Sequence, residues 1–174
     1  SFPTRRSSDL CLTKPTSGDA LLFGKSIITE PQQVKQLIAV SPQETAIAPN
    51  LTVRENLELM ARVHGFDKET TKQKKDELLH KFSLHTFEKQ RSKTLSGGWK
   101  RRLSIAMALI SEPKILFLDE PTLGLDVLAR RELWTVIEKL KETTTIILTT
   151  HYLEEAEALS DRICIMKDGQ IKAI

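Results

Sequence analysis

Apolar residues in this chain fall into two kinds of pattern, and each predicts one kind of element. Residues 20–23, 37–40 and 115–118 are short, wholly apolar runs and predict strands. The run at 115–118 is of the kind expected of a strand covered on both faces in a parallel sheet. Elsewhere the apolar positions recur at helical spacing. Val53, Leu57 and Met60 form one stripe, Leu103, Ala106, Met107 and Ile110 a second at i, i+3, i+4 and i+7, and Leu133, Trp134, Ile137 and Leu140 a third. A helix over residues 68–82 opens with a Lys-rich, solvated face and is anchored by Leu78, Leu79 and Phe82. In the helix that follows Trp99, Lys100, Arg101 and Arg102 are expected to start outside the buried face.

In chain order the pattern predicts a strand at 20–23, a short helix at 31–36 and a strand at 37–40. Two helices follow at 52–64 and 68–82 with no strand between them, then a helix from 99 closed by Pro113. After the strand at 115–118 come a helix opened by Asp126, a strand at 145–150 and a short helix at 152–159. A strand at 162–166 and a last one, joined by the Asp168-Gly169 turn, form a hairpin. This alternation predicts a doubly wound α/β sheet, whose ligands sit at the carboxyl ends of the strands. The two consecutive helices predict a helical subdomain inserted over residues 49–94. Its start carries the capping-box pattern Thr52-x-x-Glu55, and Gly65 stops its first helix.

Composition narrows the class. The 174 residues are 40% apolar and 28% charged, and 26 Lys and Arg stand against 23 Asp and Glu. That balance of +3 gives no footing for nucleic-acid binding. No apolar run approaches the ~18 residues a membrane-spanning helix needs, so a membrane role has to come through a partner. Cys11 and Cys164 lack metal-ligand spacing, and buried or free thiols in a reducing compartment are expected. Residues 1–10, SFPTRRSSDL, read as a translated sequencing adapter, a non-native segment set apart from the domain that starts at residue 11.

Candidate chemistry gathers at the predicted strand ends. Asp119 and Glu120 close one strand, His151 another, and Gln43 follows a third. Adjacent carboxylates after an apolar strand suit Mg²⁺, which prefers oxygen ligands and keeps several waters. Asp119 would hold the metal, with Gln43 reaching it or its water, and Glu120 would be a general base toward a nucleophilic water. The alternative for an Asp-Glu pair is a helix cap or a surface ion pair. Ser96-Gly97-Gly98 stands before a helix N-terminus, where unpaired N–H groups favour a phosphate. Taken alone, the same triplet is a loop. Gly24-Lys25-Ser26 resembles the end of a G-x-x-x-x-G-K-[ST] loop, but position 19 is Asp19 and Pro31 follows closely, so a turn after an edge strand is expected there.

These motifs together resemble the ATPase domain of ABC transporters. LSGG at 95–98 is similar to the signature turn, ILFLDE at 115–120 to Walker B, GLD at 124–126 to the D-loop, VSPQE at 40–44 to the Q-loop, and His151 to the switch histidine. DVLARRELW and LTTHYLEEAEALSDRI further resemble exporters of the ABC-2 class, including drug-resistance and ABCA-like pumps. The resemblance implies a P-loop NTPase-like (RecA-like), mostly parallel sheet flanked by helices, with ATP and Mg²⁺ as cofactors. It also implies a second ATPase domain packed head to tail and a transmembrane permease that holds the chain at the cytoplasmic face of the membrane. Ser96, Gly97 and Gly98 would then contact the γ-phosphate held by the other subunit. Gln43 would sense Mg²⁺ and the attacking water, Glu120 would polarise that water, and His151 would steady the γ-phosphate. Asp126 would couple the two sites across the interface.

Two departures stand out. Trp99 follows LSGG where the family usually has Gln or Met. The phosphate-binding loop and the upstream strands implied by the resemblance are missing before Pro15, where the adapter-like peptide stands. The expectation is therefore an exporter ATPase whose fragment is inactive alone. A non-transport ABC-type ATPase acting on ribosomes or DNA is the alternative.

Overall fold

The computed structural model describes residues 15–174; the adapter-like segment and Cys11 lie outside them. Strands β1 (Leu21–Leu22) and β2 (Lys25–Ser26) pair as a hairpin. Phe23 (φ 50°) and Gly24 (φ 76°) form its turn, two successive left-handed residues as the twist of a tight hairpin requires. Gly24-Lys25-Ser26 is thus part of a turn and strand, as expected. The Ser26 hydroxyl accepts the N–H groups of Ile28 and Thr29, each at 3.0 Å.

Helix α1 (Pro31–Leu37) opens on a proline, whose missing N–H costs nothing in the first turn, and runs into β3 (Ile38–Ser41). Helix α2 (Val53–Val63) begins with the predicted capping box. Thr52 Oγ1 accepts the Glu55 N–H at 3.2 Å, and Glu55 Oε2 accepts the Thr52 N–H at 2.7 Å. Gly65 (φ 78°) follows its end. Asp67 caps α3 (Lys68–Lys81) through the Thr70 N–H at 2.8 Å. Two short 3₁₀ turns, His85–Phe87 and Ser92–Thr94, lead to α4 (Gly97–Leu109). Then come β4 (Ile115–Asp119), α5 (Val127–Leu140), β5 (Thr145–Thr149), α6 (Leu153–Leu159), and the hairpin of β6 (Ile165–Lys167) and β7 (Gln170–Ala173).

Among the described residues the parallel sheet has the order β3-β4-β5, with Ile115 opposite both Ile38 and Thr145. The β6–β7 hairpin forms a separate two-stranded sheet. The strand predicted at 162–166 starts only at Ile165 and does not extend the parallel sheet.

Alternation along β4 divides the core. Leu116 and Leu118 point into a large cluster with Leu103 and Ile105 of α4, Leu133 and Ile137 of α5, and Leu57 and Leu79 of α2 and α3. Ile115 and Phe117 point the other way, onto Leu22, Ile27 and Val34. This central strand is covered on both faces, as its unbroken apolar run requires.

Two expectations are corrected. Arg101 and Arg102 do not start outside the buried face of α4; both are buried, and burial extends through Met107. The reason is that α4 lies between β3, α2 and α5, which leaves residues 101–107 no side for water. Nor is the Lys-rich start of α3 wholly solvated. Lys75 is buried and pairs with Glu58 at 3.1 Å, while Lys74 lies over the Phe66 ring at 4.8 Å. Their methylene stems cover apolar surface while the ammonium groups find acceptors.

Candidate functional site

The carboxyl end of β4 brings the two carboxylates and the histidine together. Asp119 is its last residue, and its Oδ1 accepts the Thr149 hydroxyl at 3.0 Å. Glu120 has left the strand with φ 46°, yet its N–H still donates to Thr149 O at 3.0 Å. This left-handed step at a non-glycine residue turns the Glu120 side chain out of the sheet alternation. Its Oε2 meets His151 Nδ1 at 2.9 Å. Glu120 caps no helix; its partner, the exposed His151, comes from the end of the neighbouring strand. The His151 ring lies against Tyr152, with centroids 4.1 Å apart, and the Arg130 guanidinium stands 4.6 Å from the Tyr152 ring.

Gln43 lies two residues past β3, exposed. It reaches the same strand ends through its backbone. Arg101 donates from Nη1 to the carbonyls of Pro42 and Gln43, the latter at 3.3 Å, from Nη2 to Asp119 O, and from Nε to Pro121 O at 2.9 Å. Burial pulls the Arg101 guanidinium below its ordinary pKa, and the Asp119 and Glu155 carboxylates pull it back. Sequence reasoning missed Arg101 and Thr149. The signal for the arginine was available: residues 103–110, LSIAMALI, contain no charge over two turns, which marks a helix buried all round.

Ser96, Gly97, Gly98 and Asp126 form a second group. Ser96 is the N-cap of α4 and makes no side-chain cap bond; Gly97 and Gly98 are already helical. The glycines therefore stand in the first helical turn rather than before it. A Cβ on Gly98 would lie 3.2 Å from Ala129 Cβ, and one on Gly97 3.5 Å from Leu125 Cδ2. Asp126 Oδ1 caps α5 through the Ala129 N–H at 2.9 Å. The turn at 123–126, with Gly124 at φ 75°, is packed against the start of α4.

Among the described residues no group of three or more His, Cys, Asp or Glu is placed to hold a metal ion. Mg²⁺ does not need one, since it binds through one or two carboxylates with waters and phosphate oxygens. Asp119, oriented by Thr149, is a donor that fits it.

The ABC transporter family model matches residues 10–123. The chain belongs to the ABC transporter family. Over 163 residues it is 41% identical to the doxorubicin resistance ATP-binding protein DrrA of Mycobacterium tuberculosis, covering 93% of this chain and 49% of that protein. It is 40% identical over 161 residues to the mouse phospholipid-transporting ATPase ABCA3, covering 92% of this chain and 9% of that protein. The ABC domain thus spans about half of the bacterial relative and under a tenth of the mammalian one. Among solved structures, an ATP-binding subunit of an ABC transporter superposes with a TM-score of 0.79 at 29% identity, covering 98% of this chain and 71% of the other. The ATP-binding cassette MJ0796, a dimer in a post-hydrolysis state bound to ADP and Pi, has a TM-score of 0.79 at 26% identity, covering 96% and 76%. The ABC domain described here shares their P-loop NTPase fold, an α/β sheet flanked by helices.

Proposed function

We propose that these residues belong to the ATP-binding and ATP-hydrolysing subunit of a membrane exporter. The observation that carries the reading is the Glu120–His151 pair at 2.9 Å beside Asp119, at the carboxyl end of the central strand. Glu120 takes the role of general base toward the attacking water, and His151, with both ring nitrogens protonated, donates from Nδ1 to its carboxylate and presents Nε2–H to the γ-phosphate. Asp119 and Gln43 stand for the Mg²⁺ side of the site. When bound, the ion draws charge from the β- and γ-phosphates. Ser96 and the N–H groups of the first turn of α4 address the γ-phosphate of a second ATPase domain packed head to tail, and Asp126 couples the two sites. The dimer of MJ0796, the doxorubicin-resistance name of DrrA and the phospholipid-transporting name of ABCA3 support this reading.

Among the described residues no helix is long and apolar enough to cross a membrane. A transmembrane permease domain or subunit is proposed to supply the path and to hold these residues at the cytoplasmic face of the membrane. The helical subdomain, residues 49–94, is the part proposed to dock onto it.

The test uses the intact subunit with its permease. Glu120→Gln is expected to lower ATP turnover by at least ~100-fold while ATP still binds, in line with the loss of a general base. Turnover close to wild type in that variant would refute the assignment. Among its 174 residues the chain has no G-x-x-x-x-G-K-[ST] stretch, so the triphosphate lacks the loop N–H groups and Lys that cradle it. The 174 residues alone are expected to show no ATPase; turnover that vanished in Glu120→Gln would overturn this expectation.

A further inference from the structure

Arg101 is 4% exposed and its guanidinium donates to four backbone carbonyls. These come from two segments far apart in sequence: Pro42 and Gln43 after β3, and Asp119 and Pro121, which flank Glu120 at the end of β4. No side-chain acceptor is involved, so what the guanidinium fixes is the path of the main chain. Each segment carries or adjoins a residue assigned to hydrolysis above.

The helix that bears Arg101 starts at Ser96. One turn separates the guanidinium from the two glycines packed on Leu125 and Ala129. An α-helix transmits displacement as a rigid rod over so short a distance, so a shift of its first turn moves the guanidinium. Beneath it, the Glu155 carboxylate is fully buried, accepts Trp134 Nε1 at 3.2 Å on Oε1, and has no hydrogen-bond partner among the described residues on Oε2. From α6, the helix that follows His151, it acts with Asp119 to favour the charged form of Arg101 against the effect of burial.

Resting on the ATPase reading above, we propose that Arg101 is a positioning residue: it locks the Gln43 and Asp119–Pro121 segments into one arrangement and links them to the helix whose first turn faces the second nucleotide. Contact with the partner's ATP at Ser96–Gly98 is thereby passed to Glu120 and Gln43 by a single side chain. Lysine cannot replace it fully, because one ammonium lacks the planar fork that reaches four carbonyls on two segments.

The test compares Arg101→Met, Arg101→Lys and, as a surface control on the same helix, Lys100→Met. Amide hydrogen exchange on the 174-residue chain reads the clamp without requiring turnover. Exchange of the hydrogen-bonded amides of Glu120 and Leu123 is expected to rise about tenfold or more in Arg101→Met and less in Arg101→Lys, with α2 unchanged, as in local opening. Equal exchange in wild type and both variants would overturn the proposal, as would a uniform rise that includes α2. If Arg101→Met does not fold, Arg101→Lys carries the comparison. In the intact subunit, kcat should fall at least ~10-fold with the KM for ATP within about twofold, and Lys should restore part of kcat, the pattern of a group acting only on the transition-state arrangement. A raised KM with unchanged kcat would overturn it. Absence of ATPase in the intact wild-type subunit would instead refute the functional reading, while the exchange data still decide whether the clamp exists.

Discussion

Glu120 occupies a backbone conformation with φ 46°, in a region that costs a non-glycine residue of order 1 kcal/mol. The neighbouring strand compensates, since the Glu120 N–H donates to Thr149 O and its side chain meets His151. Gln keeps the backbone, the size and one acceptor, so Glu120→Gln should change stability by less than ~1 kcal/mol. Urea denaturation checks that the loss of turnover is chemical. Other carboxylates respond to pH through the fold. Glu55, held by the Thr52 N–H, and Glu88, held by the Arg54 guanidinium, have pKa values lowered from the ordinary carboxylate range. A depressed folded pKa means stability that is complete above the unfolded value near ~4 and lost as pH falls through the folded one. The melting temperature should therefore drop as the solution is acidified below about pH 4. In Glu55→Gln, which preserves the capping box, the drop should be shallower; an unchanged slope would remove Glu55 from the cause.

At the scale of elements, α4 shows what the pattern could and could not reveal. Its Leu103, Ala106, Met107 and Ile110 stripe was legible because apolar periodicity records one buried face, while its first turn, at Gly97, lies two residues before the predicted start. The burial of Arg101 was missed although the charge-free run after it was a signal, because a charged residue is read as solvated unless its acceptors are known, and these acceptors are main-chain carbonyls far away in sequence. Asn56 was hidden in the same way: wholly buried on α2, it bonds the backbone of Ala48 in both directions and the Ser92 hydroxyl. The capping box was legible because its two partners are three residues apart. The glycines of α4 were read as room for a phosphate, and the structure adds room for α5. Gly97→Ala should stabilise by up to ~1 kcal/mol through helix propensity, because its Cβ makes an ordinary contact. Gly98→Ala should gain less or nothing, since 3.2 Å from Ala129 Cβ forces α5 to give way. Urea midpoints in the reverse order would contradict the packing of α4 on α5.

At the scale of the whole molecule, the helical segment and the sheet share one core. Val53, Leu57, Leu78, Leu79 and Phe82 belong to the same buried cluster as Leu103, Leu116 and Leu133. A segment proposed to dock onto a membrane partner is thus held by the apolar surface that holds β4, and it should not melt alone. The two tryptophans allow this to be measured. Trp99 packs on Phe87, with ring centroids 4.6 Å apart, and under the Arg102 guanidinium, so it reports the contact between α4 and the helical segment. Trp134 donates to Glu155 and reports α5 against α6. In Trp99→Phe and Trp134→Phe, each left with one indole, thermal curves should coincide once each variant's own midpoint is allowed for, as for a two-state domain. Leu57→Ala on α2 and Leu116→Ala on β4 remove fully buried side chains, and each should cost ~2–5 kcal/mol. Because the core is continuous, Leu57→Ala should lower the Trp134 transition as much as the Trp99 transition. A Trp134 curve that stayed in place while the Trp99 curve moved down would show that residues 49–94 unfold as a unit of their own.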